Sequence, residues 1–200
     1  QRESESLKAR NIPDGHGQVS QSTTSGSTGI PLKVMKTALS GLFWDAVTVR
    51  DHFWQERDMS RPWHTIRYFH HDNATFPAGT SASSWGRATG ALGYSGPGFG
   101  LDIMTDPSRQ IEWLQRRPPT YLQTYPSNLN ALLEITRSEG RLFPGLRQVV
   151  TLAESVSPEL RARCLEQWGV PIRDIYSATE AGYMAIQAPR GDHPARRRRG

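Results

Sequence analysis

Between Thr23 and Lys33 the chain runs Thr23-Thr24-Ser25-Gly26-Ser27-Thr28-Gly29-Ile30-Pro31-Leu32-Lys33. These residues are suited to holding a compact anion. Gly26 and Gly29 carry no side chain to block close approach and accept positive φ. Successive N–H groups in such a turn make a concave anion-binding surface. Ser25, Ser27 and Thr28 add rotatable hydroxyl donors, and Lys33 closes the loop with a cation. A polyphosphate is the ligand that matches this set. A polar linker would have the same composition.

Two common phosphate loops are excluded by spacing. A Walker A loop needs Lys directly after Gly and then Ser or Thr, but Gly29 is followed by Ile30-Pro31-Leu32. A dinucleotide fingerprint needs G-x-G-x-x-G between strand and helix. The run Gly96-Pro97-Gly98-Phe99-Gly100 has neither that spacing nor a Pro-free interior.

Thr24-Ser25-Gly26-Ser27-Thr28-Gly29-x-Pro31-x-Lys33 resembles the phosphate loop of the AMP-forming adenylate synthetases. That superfamily includes acyl-CoA ligases, luciferases and peptide-synthetase adenylation domains. Pro31-Leu32-Lys33-Val34, in place of Pro-Lys-Gly, is closest to the phenylacetate–CoA ligase branch. A second segment, Tyr176-Ser177-Ala178-Thr179-Glu180, resembles the superfamily's Tyr-Gly-x-Thr-Glu, with Ser177 in place of Gly. The residue types suit the chemistry. Tyr176 offers a ring to stack on adenine, Thr179 a hydroxyl for a phosphate oxygen, and Glu180 a hard oxygen ligand for Mg²⁺. A strand end followed by a polar turn would look similar.

A weaker match is Ala153-Glu154-Ser155 after the apolar run Gln148–Leu152. It stands where the family often has Gly-Ala-Glu-Pro along the adenine, and a plain strand-to-loop transition is the alternative. Tyr125-Pro126-Ser127 resembles the family's Tyr-Pro-Ser segment near the acyl pocket, so Tyr125 and Pro126 are expected to meet the acid. A helix cap at Ser127 explains the same residues.

The resemblance implies an α/β fold: part of the large N-terminal domain of the adenylate-forming fold, with mixed sheets flanked by helices. It implies ATP, Mg²⁺ and coenzyme A as ligands and a small carboxylic acid as substrate. Lys33, Thr179 and Glu180 are the expected catalytic residues. The nucleotide would lie against Thr24 to Gly29, Ala153 to Ser155 and Tyr176 to Thr179. Residues 1–20 read as a loop leading into the site, 21–189 as a partial AMP-binding domain, and 190–200 as an Arg-rich, disordered tail. The resemblance further implies a ribose-binding Asp and a C-terminal domain with a catalytic Lys. Neither is matched in this sequence, which therefore reads as the central portion of a larger synthetase, poorly active alone.

Composition narrows the alternatives. The chain has 200 residues, 36% hydrophobic and 22% charged, which suits a folded domain with a real core. Arg196 to Arg199 supply four of the +5 net charge. The basic balance therefore belongs to the tail, and nucleic acid is an unfavoured partner. An inactive nucleotide-binding remnant remains the other reading of the same motifs. The single cysteine, Cys164, excludes an internal disulfide and sits on an apolar helix face. No membrane span or signal peptide is visible, so the expected location is cytoplasmic.

The elements that must position these segments follow from periodicity. A short strand is expected at Val34-Met35 and a helix over Leu39–Gln55 with an apolar period of Leu42, Phe43, Ala46, Val49, Phe53 and Trp54. Strands are expected at Trp63–Phe69, Thr120–Thr124 and Gln148–Leu152. Pro77–Gly100 reads as loops around the substrate pocket, and Ile111–Arg116 as a short helix. Ser127 should cap a helix ending at Gly140. Ser157, with Pro158 behind it, should cap another that stops at Gly169. His70-His71-Asp72 alternates faces on an extended chain, so it reads as surface loop.

Overall fold

The computed structural model describes residues 11–23, 33–69, 74–137, 143–179 and 181–189. Most of the phosphate loop (24–32), Glu180, His70-His71-Asp72 and the Arg-rich tail lie outside the described residues.

A short 3₁₀ turn at Asp14–His16 precedes a two-stranded antiparallel hairpin, β1 (Val19–Thr23) and β2 (Lys33–Thr37). The segment before Gln21, expected as loop, thus enters a strand at Val19. The hairpin pairs Thr23 with Lys33, bringing the two ends of the phosphate loop side by side.

Thr37 starts α1 (Ala38–Trp54) with a reciprocal capping box: Ser40 N–H donates to Thr37 Oγ1 and Thr37 N–H to Ser40 Oγ, satisfying donors that a helix start leaves open. The expected helix forms, but its apolar period faces away from the protein. Leu42, Phe43, Phe53 and Trp54 are exposed, whereas Asp51 and His52 are buried.

The main sheet has seven strands in the order β4-β5-β3-β6-β7-β8-β9. These are β3 (Trp63–Arg67), β4 (Thr80–Ala82), β5 (Gly98–Asp102), β6 (Tyr121–Thr124), β7 (Gln148–Leu152), β8 (Ile172–Ala178) and β9 (Gly182–Ile186). The five central strands are parallel, and β4 and β9 are antiparallel edges. The region expected as loops therefore contributes β4, a short helix α2 (Arg87–Gly90) and the start of β5. β5 was hidden by its glycines. A Cβ on Gly98 would stand 2.4 Å from the Ser84 carbonyl oxygen, and one on Gly100 2.6 Å from the Phe69 ring. Glycine inside a strand reads as loop, yet here it marks close approach of another chain segment.

Helices α3 (Pro107–Arg116), α4 (Pro126–Ile135) and α5 (Pro158–Trp168) cover one sheet face. Each begins with Pro, whose fixed φ suits the first turn. Asp106 caps α3 and Ser157 caps α5, which stops at Gly169 in the left-handed region, φ 71°. The expected cap of α4 is corrected. Tyr125 is its N-cap, Ser127 lies within the helix, and the helix ends at Ile135 rather than Gly140. Pro126 claims the first helical position and pushes Ser127 past the place from which a cap can reach back.

The large core lies between this helical layer and the sheet: Ile66, Leu101, Leu122 and Val149 from strands meet Trp113, Leu129, Leu133, Cys164 and Trp168. Trp168 finds its required partner by donating Nε1–H to Thr136 Oγ1 at 3.0 Å. Cys164 is buried as expected, and burial pushes its thiol up to about 12. Alternation along the strands sends Trp63, Tyr121, Val150 and Ile175 to the opposite face, where α1, α2 and Trp85 lie.

Candidate functional site

The carboxyl ends of β5, β3, β6, β7 and β8 share one edge of the sheet. Chain order reverses about β3, which has β5 on one side and β6 on the other. Open α/β sheets bind ligands at such a reversal. Here the loops after β3 and β6 touch, with Tyr68 N–H donating to Tyr125 Oη at 3.4 Å.

Several expected site residues collect on this edge. Tyr125 is half-buried and Pro126 buried at the start of α4. Ala153, Glu154 and Ser155 follow β7, with Ala153 at φ 67°, a conformation that costs a non-glycine residue about 1 kcal/mol or more. The Glu154 carboxylate accepts two bonds from Ser127, from N–H at 2.8 Å and from Oγ at 2.9 Å. This bidentate link ties the expected acid segment to the expected adenine segment. It also places a negative charge against the N-terminus of α4, whose own N-cap makes no side-chain bond. Glu154 is thereby occupied as a clamp between the segment after β7 and the start of α4. Ala153, Glu154 and Ser155 do not line the cavity that lies between the sheet and α1.

Tyr176, Ser177 and Ala178 end β8, and Thr179 follows it half-buried. Successive strand residues face opposite sides of a sheet: Tyr176 is exposed at 64% while Ser177 lines this open cavity. Lys33 is exposed at the start of β2 and does not line that cavity. The roles expected of Thr24 to Gly29 and Glu180 fall outside the described residues.

The cavity, about 430 Å³, lies between the sheet and α1. Trp63, Thr65, Gln123, Leu152 and Ser177 form its sheet wall; α1 contributes Trp44, Asp45, Thr48, Asp51 and His52. Its inner end is aromatic. His52 meets Trp63 and Trp85 edge to face, with ring centroids 5.3 and 5.0 Å apart, and the two indoles lie 4.9 Å apart.

Beneath that end is a buried polar group that motif reading missed. Arg57 donates Nη1–H to Asp51 Oδ2 at 2.5 Å and Nε–H to Gln148 Oε1 at 2.6 Å, while its Nη1 is 2.9 Å from His52 Nδ1. Arg57 can only donate, so the network assigns the His52 proton to Nε2. Burial, reinforced by the Arg57 charge, depresses His52 to about 3, and the ring stays neutral near neutral pH. At the rim, Arg87 pairs with Asp45 at 3.0 Å, bridging α2 to α1. Tyr183 from β9 packs on Trp44 and shares a 3.1 Å hydrogen bond with Thr48. The available signal was the polar series Asp45, Thr48, Asp51, His52 and Gln55, which repeats at helical spacing.

Among the described residues no group of three or more His, Cys, Asp or Glu is placed to hold a metal ion. No helix among them is long and apolar enough to cross a membrane.

Comparison with known proteins agrees with this architecture. Over 88% of its length the chain superposes on an open-conformation crystal structure of 2-hydroxyisobutyryl-CoA ligase bound to 2-HIB-AMP and CoA, with TM-score 0.63 and 19% identity. It spans 40% of that ligase. A luciferase-like enzyme from the nonluminescent Zophobas morio mealworm is similar over 94% of this chain and 41% of that one, with TM-score 0.57 and 13% identity. A long-chain-fatty-acid-CoA ligase from Archaeoglobus fulgidus matches over 84% and 33%, with TM-score 0.52 and 18% identity. Among curated proteins there is no match. The fold is thus that of the N-terminal domain of adenylate-forming enzymes. Residues 21–199 match the family described as AMP-binding enzyme, and the chain belongs to that family.

Proposed function

We propose that this polypeptide takes part in ATP-dependent activation of a small carboxylic acid and its transfer to a thiol, that of coenzyme A, in the manner of a phenylacetate–CoA ligase. The observation that carries the reading is the cavity. It adjoins the carboxyl edge of the parallel strands, where the segments at Tyr125-Pro126, Ala153–Ser155 and Tyr176–Thr179 gather.

In the first step a carboxylate oxygen attacks the α-phosphorus of ATP. A new O–P bond forms, the bond to the β-phosphate oxygen breaks, and pyrophosphate leaves. The protein contributes positioning and charge stabilisation. Thr24 to Gly29 and Lys33 are assigned to the β- and γ-phosphates and Thr179 to the α-phosphate. Backbone at Ala153 to Ser155, with Tyr176 to Ala178, is assigned to adenine. Glu180 is assigned to Mg²⁺, which needs no all-protein cage because substrate phosphates complete its oxygen shell; the ion would neutralise charge on those phosphates. In the second step the thiol sulfur attacks the acyl carbon and AMP leaves. Residues 21–189 are assigned to the AMP-binding domain.

Acid-dependent exchange of pyrophosphate into ATP tests the first step on the full-length polypeptide. Lys33→Ala and Glu180→Gln should each lower the exchange rate by on the order of 100-fold without changing the circular dichroism spectrum. No exchange across a panel of aromatic and aliphatic acids would overturn the reading.

A further inference from the structure

The inner end of the cavity holds an acceptor with nothing to accept. Asp51 is only 2% exposed and lines the cavity. Its Oδ2 is taken by Arg57, but Oδ1 has no hydrogen-bond partner among the described residues. A buried carboxylate oxygen left unpaired is costly, so such an atom marks a place where a donor belongs. Its neighbour on α1, His52, also lines the cavity. With Nδ1 engaged by Arg57, His52 keeps its proton on Nε2. An acceptor and a donor therefore belong to adjacent residues lining the same end of the cavity, where His52 meets the rings of Trp63 and Trp85.

The charge balance selects among donors. Asp51 is compensated by Arg57 and Asp45 by Arg87, so the pocket calls for no further cation. A hydroxyl suits it better than an ammonium group, because it can give its proton to Asp51 and take one from His52. The aromatic frame and the 430 Å³ volume suit a ring rather than a long flexible chain. Taking the cavity as the acid site proposed above, we infer that the substrate is a hydroxylated aromatic carboxylic acid, with its hydroxyl held between Asp51 and His52.

Titration calorimetry with 4-hydroxyphenylacetate and phenylacetate, two acids differing in that one hydroxyl, tests this on the wild-type protein. The hydroxylated acid should bind on the order of 10- to 100-fold more tightly, as expected for a hydrogen bond to a charged group. In Asp51→Asn the amide oxygen remains on Arg57 and the NH₂ turns to the cavity. The preference should then fall to about threefold or less, since a donor replaces the acceptor. Equal wild-type affinities would overturn the hydroxyl assignment while leaving the cavity as the acid site. Retention of the full preference in a folded Asp51→Asn would also overturn it. Binding of neither acid, alongside exchange supported by unrelated acids, would overturn this inference alone; binding of neither with no exchange would overturn both.

Discussion

Two buried histidines make this fold acid-sensitive in a way that can be calculated and removed. His64, on β3, is fully buried between Phe99 and Trp113, with ring centroids 4.8 and 5.2 Å away. Neither ring nitrogen has a hydrogen-bond partner among the described residues. Burial first, and the Arg117 charge second, depress it to about 4; the Arg117 backbone favours the charged ring slightly, without reaching hydrogen-bonding geometry. His52 is depressed to about 3. In the unfolded chain both return to about 6.5. The unfolded state therefore binds more protons below that pH. The stabilisation is complete above 6.5 and declines as pH falls toward 4 for His64 and 3 for His52. Between pH 7.5 and 5.0 each histidine withdraws about 2 kcal/mol, together about 4 kcal/mol, a large share of a domain's usual stability. His64→Leu removes one contribution without leaving a polar gap among apolar neighbours. Urea unfolding followed by tryptophan fluorescence at both pH values should show the variant losing about 2 kcal/mol less than wild type on acidification. Carboxylates affect both proteins alike and cancel in that difference. Equal losses in the two proteins would refute the assignment.

Other expectations follow from single contacts. Arg57→Ala strips compensation from buried Asp51 and orphans Gln148, and should cost about 3–5 kcal/mol in urea titration. Glu154→Ala removes both bonds to Ser127 and the carboxylate placed against the start of α4; a loss of about 1–2 kcal/mol is expected, with Glu154→Gln recovering part of it. Cys164, pushed up to about 12 by burial, should resist thiol reagents in native buffer and react at once in denaturant, as followed by mass spectrometry.

The alternation of strand and helix was readable because the parallel strands are buried on both faces and spell short apolar runs, as in Gln148–Leu152. Helix starts were readable where cap and proline coincide, as at Ser157-Pro158, and misplaced where Pro126 pre-empted Ser127. β5 was not readable, because Gly98 and Gly100 answer to Ser84 and Phe69, contacts that no local pattern records. The Arg57–Gln148 bond spans 91 residues and leaves no periodic trace. Helix α1 shows why the site itself was the hardest part. An apolar period ordinarily marks the face a helix buries, yet here Leu42, Phe43, Phe53 and Trp54 point outward while Asp45, Thr48 and Asp51 point in. The carboxylates that α1 turns toward the sheet are each secured by an arginine, Asp45 by Arg87 and Asp51 by Arg57, so the inward face of α1 is held by ion pairs. Its outward apolar face is exposed in a chain that spans 40% of the ligase it superposes on, and the apolar pattern of the helix alone does not mark the face that lines the cavity.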